Sequence, residues 1–164
     1  MYEEPADLHE LQALLDRSHA GASEHLRSII RPDQTVAAAA LVARLDGMRL
    51  LALSTVSARG RPRISAVDGH LLRGRWVLTT NGSSVKAADM RQRPWVSAAY
   101  LEGEQFGLFV HGEAEFLDPG HPDRPWVDRH LTAHYGQSPS QWHPDIVYIR
   151  VQPRWMVAYP GHPG

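Results

Sequence analysis

Two short segments hold the side chains best suited to grip an anion. Thr79-Thr80-Asn81-Gly82-Ser83-Ser84-Val85-Lys86 follows the apolar run Trp76-Val77-Leu78 and leads into a helical pattern from Ser84 to Arg91. Hydroxyls, a turn and the free amides of a helix start would stand beside one ammonium, and both the helix dipole and Lys86 favour phosphate. The same residues also fit a plain capped helix, with Ser83 or Ser84 satisfying amides and Lys86 in solvent. Arg59-Gly60-Arg61-Pro62-Arg63-Ile64-Ser65 is a turn entering a strand, and alternation sets Arg61, Arg63 and Ser65 on one face, with Ile64 and Ala66 on the other. Two guanidiniums on one face can clamp a phosphate or carboxylate bidentately. Solvated arginines that guard an edge strand against aggregation are the alternative.

Histidine is the other candidate chemistry. Among the 10 His, His130 and His134 stand at i and i+4 in a helical pattern from Pro125 to Tyr135, with His121 and His143 not far along the chain. Such a pair can bind a metal, and a single His can ligate haem. The carboxylate of a His-Glu-x-x-His site is missing, and a surface helix that pairs aromatic-rich faces accounts for the same residues. Trp76, Trp95 and Trp126 read as packing or interface residues, whereas Trp142 and Trp155 lie near Pro-rich turns and the chain end and are candidates for a pocket.

The chain that must position these groups has 164 residues and 43% hydrophobic content, enough for one proper core and short of two typical domains. Its 17 Lys plus Arg against 18 Asp plus Glu leave no basic surface of the kind nucleic-acid binding requires. The absence of cysteine excludes disulfides, thiolate catalysis, iron-sulfur clusters and cysteine-ligated zinc. Met1-Tyr2-Glu3-Glu4-Pro5 is acidic without an apolar signal core, and no run approaches the roughly 20 apolar residues of a membrane helix. A cytoplasmic protein that binds neither nucleic acid nor membrane is the expectation.

Residues 1–47 read as helices: Leu8, Leu11, Leu14 and Leu15 recur at helical spacing, Leu26, Ile29 and Ile30 suggest a second short helix, and Thr35 is a candidate N-cap for a third, closed by Asp46-Gly47. From Met48 the pattern changes to extended runs near 49–56, 61–72, 75–80, 95–101, 105–116 and 145–159, separated by turn signals such as Arg73-Gly74 and Asn81-Gly82. Six strands with few helices favour a closed or partly split antiparallel barrel, mainly β within the α+β class, spanning 48–159 and followed by a tail at 160–164. Helix and strand do not alternate after residue 48, and Gly-x-Gly-x-x-Gly is absent, so a doubly wound nucleotide fold is excluded. Gly107 and Gly112 inside one long strand signal a bulge or a close backbone approach.

Taken in order, Leu51-Ala52-Leu53-Ser54-Thr55-Val56, Gly60-Arg61-Pro62-Arg63-Ile64-Ser65, the Thr-Asn-turn-Ser-x-Lys segment and Met90-Arg91-Gln92-Arg93-Pro94-Trp95-Val96-Ser97 resemble the pyridoxamine-phosphate-oxidase-like family of split-barrel flavin proteins, including its actinobacterial branches that use a deazaflavin. The resemblance spans residues 48–159 and lies in order and spacing, since no single piece is diagnostic. It implies a six-stranded split β-barrel of Greek-key type with N-terminal and peripheral helices. It also implies a bound FMN or, alternatively, the 8-hydroxy-5-deazaflavin coenzyme F420. Arg61 or Arg63, with Arg63 the better fit, would meet the cofactor from the first strand pair, and Thr80, Ser84 and Lys86 would hold its phosphate. The ring would lie near Ser65 and Thr79 at a homodimer interface, within reach of the partner's Gln105 and the partner's Trp155. The implied activity is that of an oxidoreductase moving a hydride to or from a small-molecule substrate; a non-catalytic flavin or haem carrier or sensor is the alternative. True pyridoxamine phosphate oxidases carry a further Arg where Val85 stands, a Lys where Asp68 falls and an additional C-terminal substrate-binding segment, so oxidation of pyridoxamine phosphate is not the expected reaction.

Overall fold

The structure is a computed structural model, and residues 3–161 of it are described. Among these residues are five α-helices, α1 (Pro5–Ala20), α2 (Glu24–Ile29), α3 (Ala38–Arg44), α4 (Val85–Gln92) and α5 (Arg124–Tyr135), and six strands, β1 (Met48–Val56), β2 (Pro62–Leu72), β3 (Arg75–Asn81), β4 (Trp95–Glu102), β5 (Phe106–Phe116) and β6 (Ile146–Tyr159). Each strand begins and ends within one residue of the extended run read from the sequence. The strands close into an antiparallel barrel in the order β1-β2-β3-β6-β5-β4. Two meanders, β1 to β3 and β4 to β6, are therefore joined edge to edge through β3–β6 and β1–β4. Met1, Tyr2 and residues 162–164, most of the expected tail, lie outside the described residues.

Strand alternation fills the barrel. Leu51, Leu53, Val67, Leu78, Ala98, Leu108, Val110 and Met156 point inward and are buried together with Trp76. Leu11, Leu14 and Leu15 of α1 and Leu41 of α3 enter the same core, so α1 and α3 complete the barrel rather than decorate it, whereas α2 buries none of its residues. Thr35 is not the cap of α3. The helix starts at Ala38, and Ala37, in the capping position, has no side chain able to cap; the Thr35 hydroxyl instead donates to the Pro32 carbonyl. The capping acceptor comes from α1, where Gln12 Oε1 accepts from the Ala38 amide at 2.8 Å.

The unequal lengths of three neighbouring strands open the wall at two places. β3 has seven residues, between β2 with 11 and β6 with 14. It pairs with β2 only over Arg75–Leu78 and with β6 only over Val77–Asn81. At its C-terminal end, Thr79–Asn81 have no partner on β2, whose first half from Pro62 to Asp68 pairs with β1 alone. At its N-terminal end, Arg75 and Trp76 have no partner on β6, and α1 packs where β3 is missing; Ser18 Oγ there accepts from the Met156 amide.

The outside of the barrel is covered on one side. Leu72, Val77 and Tyr148 face outward beneath Val127 and Leu131 of α5 in a second, smaller core. The other side is bare. Register places Leu50, Ala52 and Ser54 of β1, Ile64 and Ala66 of β2, Trp95, Ser97, Ala99 and Leu101 of β4, and Phe109 and His111 of β5 on one continuous outward face. Ile64 is 77% exposed and Leu50, Leu101 and Trp95 are more than half exposed, a run of apolar side chains unusual for a surface facing water.

Candidate functional site

The opening between β2 and the end of β3 gathers most of the anion-binding candidates. Ser84 caps α4, its Oγ accepting from the Ala87 amide at 3.3 Å, so the capped-helix reading holds. The cap does not isolate the hydroxyl, because Thr80 Oγ1 lies 3.5 Å from Ser84 Oγ and accepts from Lys86 Nζ at 3.4 Å. Asn81 folds the preceding turn tightly, its Oδ1 accepting from both the amide and the hydroxyl of Ser83. Two hydroxyls and an ammonium therefore converge on the N-terminus of a helix whose first amides have no intrahelical acceptor. Lys86 has no carboxylate partner among the described residues, so its charge is free to meet an incoming anion.

The opposite lip of the opening is β2. Thr55 pairs with Arg63 and Leu53 with Ser65, which puts Arg63 and Ser65 on the inward-facing side of the strand. Arg63 Nε reaches across to Asp89 of α4 at 3.7 Å, and Asp89 Oδ2, buried, also accepts from Thr55 Oγ1 at 3.1 Å. Asp89 was not singled out in the sequence; a single carboxylate in the middle of a short helix carries no local signal of its role. Its effect is to orient the guanidinium toward the α4 side and to subtract one positive charge from the cluster. Arg61 sits just before β2, with its amide bound to Ser57 Oγ.

The remaining candidates stand elsewhere on the chain. Thr79 pairs with Tyr148 and lies on the face of β3 opposite to Thr80. Gln105 lies in the β4–β5 turn, where its amide donates to the Glu102 carbonyl, at the far end of those strands from Trp95 and α4. Trp155 pairs with His111 across β5 and β6, and the two rings stack with centroids 4.7 Å apart and an interplanar angle of 16°. His111 Nδ1 is 2.8 Å from Ser97 Oγ, which places this aromatic pair beside the bare outward face.

The histidines group differently from their expected pattern. His130 meets not His121 or His143 but His70 of β2, Nε2 to Nδ1 at 3.1 Å, and His70 Nε2 contacts Tyr135 OH at 3.1 Å. Burial, then the nearby His130, His134 and Arg49, pushes the pKa of His70 down to about 4. His121 lies 3.4 Å from Glu115, and His143 accepts from the Asp145 amide. Among the described residues no group of three or more His, Asp or Glu is arranged to hold a metal ion, and no helix is long and apolar enough to cross a membrane. His70 escaped the sequence reading because its partners lie about 60 residues away on α5.

Several solved structures share this fold. A conserved hypothetical protein, Rv2991, from Mycobacterium tuberculosis superposes with a TM-score of 0.67 at 20% identity, over 79% of this chain and 88% of that one. A protein described as an F420 reductase superposes at 0.55 and 20% identity, over 70% and 93% of the two chains. A FAD-binding protein from Mesorhizobium loti superposes at 0.59 and 17% identity, over 76% and 93%. No curated protein matches the sequence. The family model described as pyridoxamine 5'-phosphate oxidase matches residues 37–158, which take in the whole barrel up to Ala158, both lips of the opening and α4. The chain belongs to the pyridoxamine 5'-phosphate oxidase family.

Proposed function

We propose that the chain binds a phosphate-bearing flavin or deazaflavin in the opening between β2 and β3 and uses it as an oxidoreductase. The observation that carries this reading is the convergence of Thr80, Ser84 and an unpaired Lys86 on the start of α4, with Arg63 on the facing lip. The donor set suits a phosphate: hydroxyls, an ammonium, a guanidinium and helix amides supply donors from several directions. Similar folds in an F420 reductase and a FAD-binding protein support the cofactor class.

Lys86 and Thr80 would hold the phosphate, Ser84 would add its hydroxyl while keeping α4 capped, and Arg63 would approach from β2 with its orientation set by Asp89. Such a cofactor, when bound, supplies the hydride chemistry itself, and the protein supplies position and electrostatics.

A second copy of the chain would cover the bare face of β2, β1, β4 and β5 and bring the partner's Gln105 and the partner's Trp155 toward the ring. The exposed Ile64, Leu50, Leu101 and Trp95 support this, because burying such a surface is a strong drive to associate.

The test is to titrate purified protein separately with FMN and with coenzyme F420, following cofactor fluorescence, and then to offer the reduced complex quinones and enones. Tight binding with reoxidation by an acceptor supports the enzyme. Tight binding without reoxidation by any acceptor favours the carrier, and binding of neither cofactor overturns the proposal.

A further inference from the structure

We infer that the second opening of the barrel wall, at the N-terminal end of β3, is a binding site for a small organic anion bearing carboxylate or phosphate groups. Where β3 lacks a partner on β6, α1 bridges the gap and leaves a groove of about 560 Å³, within the range of small-molecule sites. Its floor includes Leu11 and Leu14, and its rim carries Arg17, Arg73, Arg75 and Arg154 against the carboxylates Asp7 and Glu10.

Three of the four guanidiniums are held in place. Arg75 donates to Gln152 Oε1 and to the Arg73 carbonyl, both at 3.0 Å, and to Glu10 at 3.2 Å. Arg73 stacks 4.5 Å over the Trp126 ring and stands 3.8 Å from Glu4 and Asp7. Arg154 donates to Glu113 at 2.9 Å. Arg17, one of the rim residues, has no carboxylate partner among the described residues. Salt bridging therefore accounts for the postures of three arginines and leaves Arg17 as the rim guanidinium open to an incoming anion.

The backbone points the same way. Arg73 and Gly74 form the two-residue β2–β3 turn with φ of 50° and 70°, and Arg73 is the non-glycine residue at positive φ among the described residues. Such a turn favours Asn, Asp or Gly in its first position. An arginine there is unfavourable locally, and its side chain reaches the rim of the groove. Guanidiniums grip carboxylate and phosphate bidentately, and the leucine floor selects a ligand with an apolar body.

The groove is separate from the opening at Thr80. β3 runs from one to the other, and its seven residues span about 20 Å. None of the groove residues belongs to the Thr80, Ser84, Lys86 and Arg63 cluster, so this inference stands or falls independently of the flavin reading.

The experiment follows backbone amide shifts of isotope-labelled full-length protein during titration with phthalate and with phenyl phosphate, no flavin being added. Binding of either probe should shift Ala13, Gly74 and Gln152, which line the groove. Arg17→Glu combined with Arg154→Glu, both exposed positions, should weaken that binding at least about tenfold, as loss of charge-assisted contacts does. Lys86→Ala should leave the groove response intact. Shifts absent from the groove, unchanged affinity in the double variant, or a response that vanishes with Lys86 would each overturn the assignment.

Discussion

Acidification from neutral pH towards 4 should destabilise the fold through His70. This imidazole is 1% exposed, and its two nitrogens contact His130 and Tyr135. Burial first, then His130, His134 and Arg49, hold its pKa near 4 in the folded protein, against 6.5 for an ordinary histidine. The unfolded chain therefore takes up the proton first as pH falls. The stability contributed by neutral His70 is complete above 6.5, is lost progressively towards 4 and then levels off. A displacement of that size corresponds to about 3 kcal/mol, a sizeable part of a net stability of roughly 5–15 kcal/mol. His130 is lowered in the same direction, by burial and then by His134, so the two titrate as a coupled pair. Asp123, held below its ordinary value by hydrogen bonds from Trp126 and Arg150, gives up its contribution only as pH falls through still lower values. The assay is urea unfolding across this pH range, comparing the wild type with His70→Gln, whose amide hydrogen-bonds without titrating. The wild-type stability should fall steeply between the two pKa values and the variant's much less. Parallel curves would refute the reasoning.

Other perturbations separate the remaining parts of the structure. Lys86→Ala should weaken binding of FMN or coenzyme F420 by about 1.5–3 kcal/mol, read by fluorescence titration, because a charge-assisted contact to the phosphate is removed. Val85→Arg, at an exposed position in the first turn of α4, should tighten FMN binding about tenfold by supplying a second flanking cation. Gly112→Ala should cost roughly 1–3 kcal/mol or more on thermal unfolding, since a Cβ would stand 2.1 Å from the Gln152 carbonyl oxygen at the bulge between β5 and β6. Ile64→Glu, on the bare face, should shift a dimer to monomer by light scattering while leaving the melting of the monomer nearly unchanged.

Strand positions were legible because alternation and turn residues are local. Arg73-Gly74 and Asn81-Gly82 punctuate the chain where the strands end, and Gly112 marks the β5 bulge. The Thr80, Ser84 and Lys86 cluster was legible for the same reason, since all three fall within seven residues around one helix start. Asp89, the His70–His130 contact and the capping of α3 by Gln12 were not, because each joins elements distant in sequence and depends on register. Strand lengths occupy the ground between. A seven-residue strand between neighbours of 11 and 14 residues must leave each of them partly unpaired, so openings on either side of β3 are implied by lengths alone. Which end of β3 opens towards which neighbour is decided by its pairings. The tight turn at Arg73-Gly74 binds the start of β3 to β2 and so frees its end on that side, while β6 pairs with the far end and frees the start. One short strand thus leaves two gaps of opposite placement that the ladder does not fill, each with arginine or lysine at its mouth.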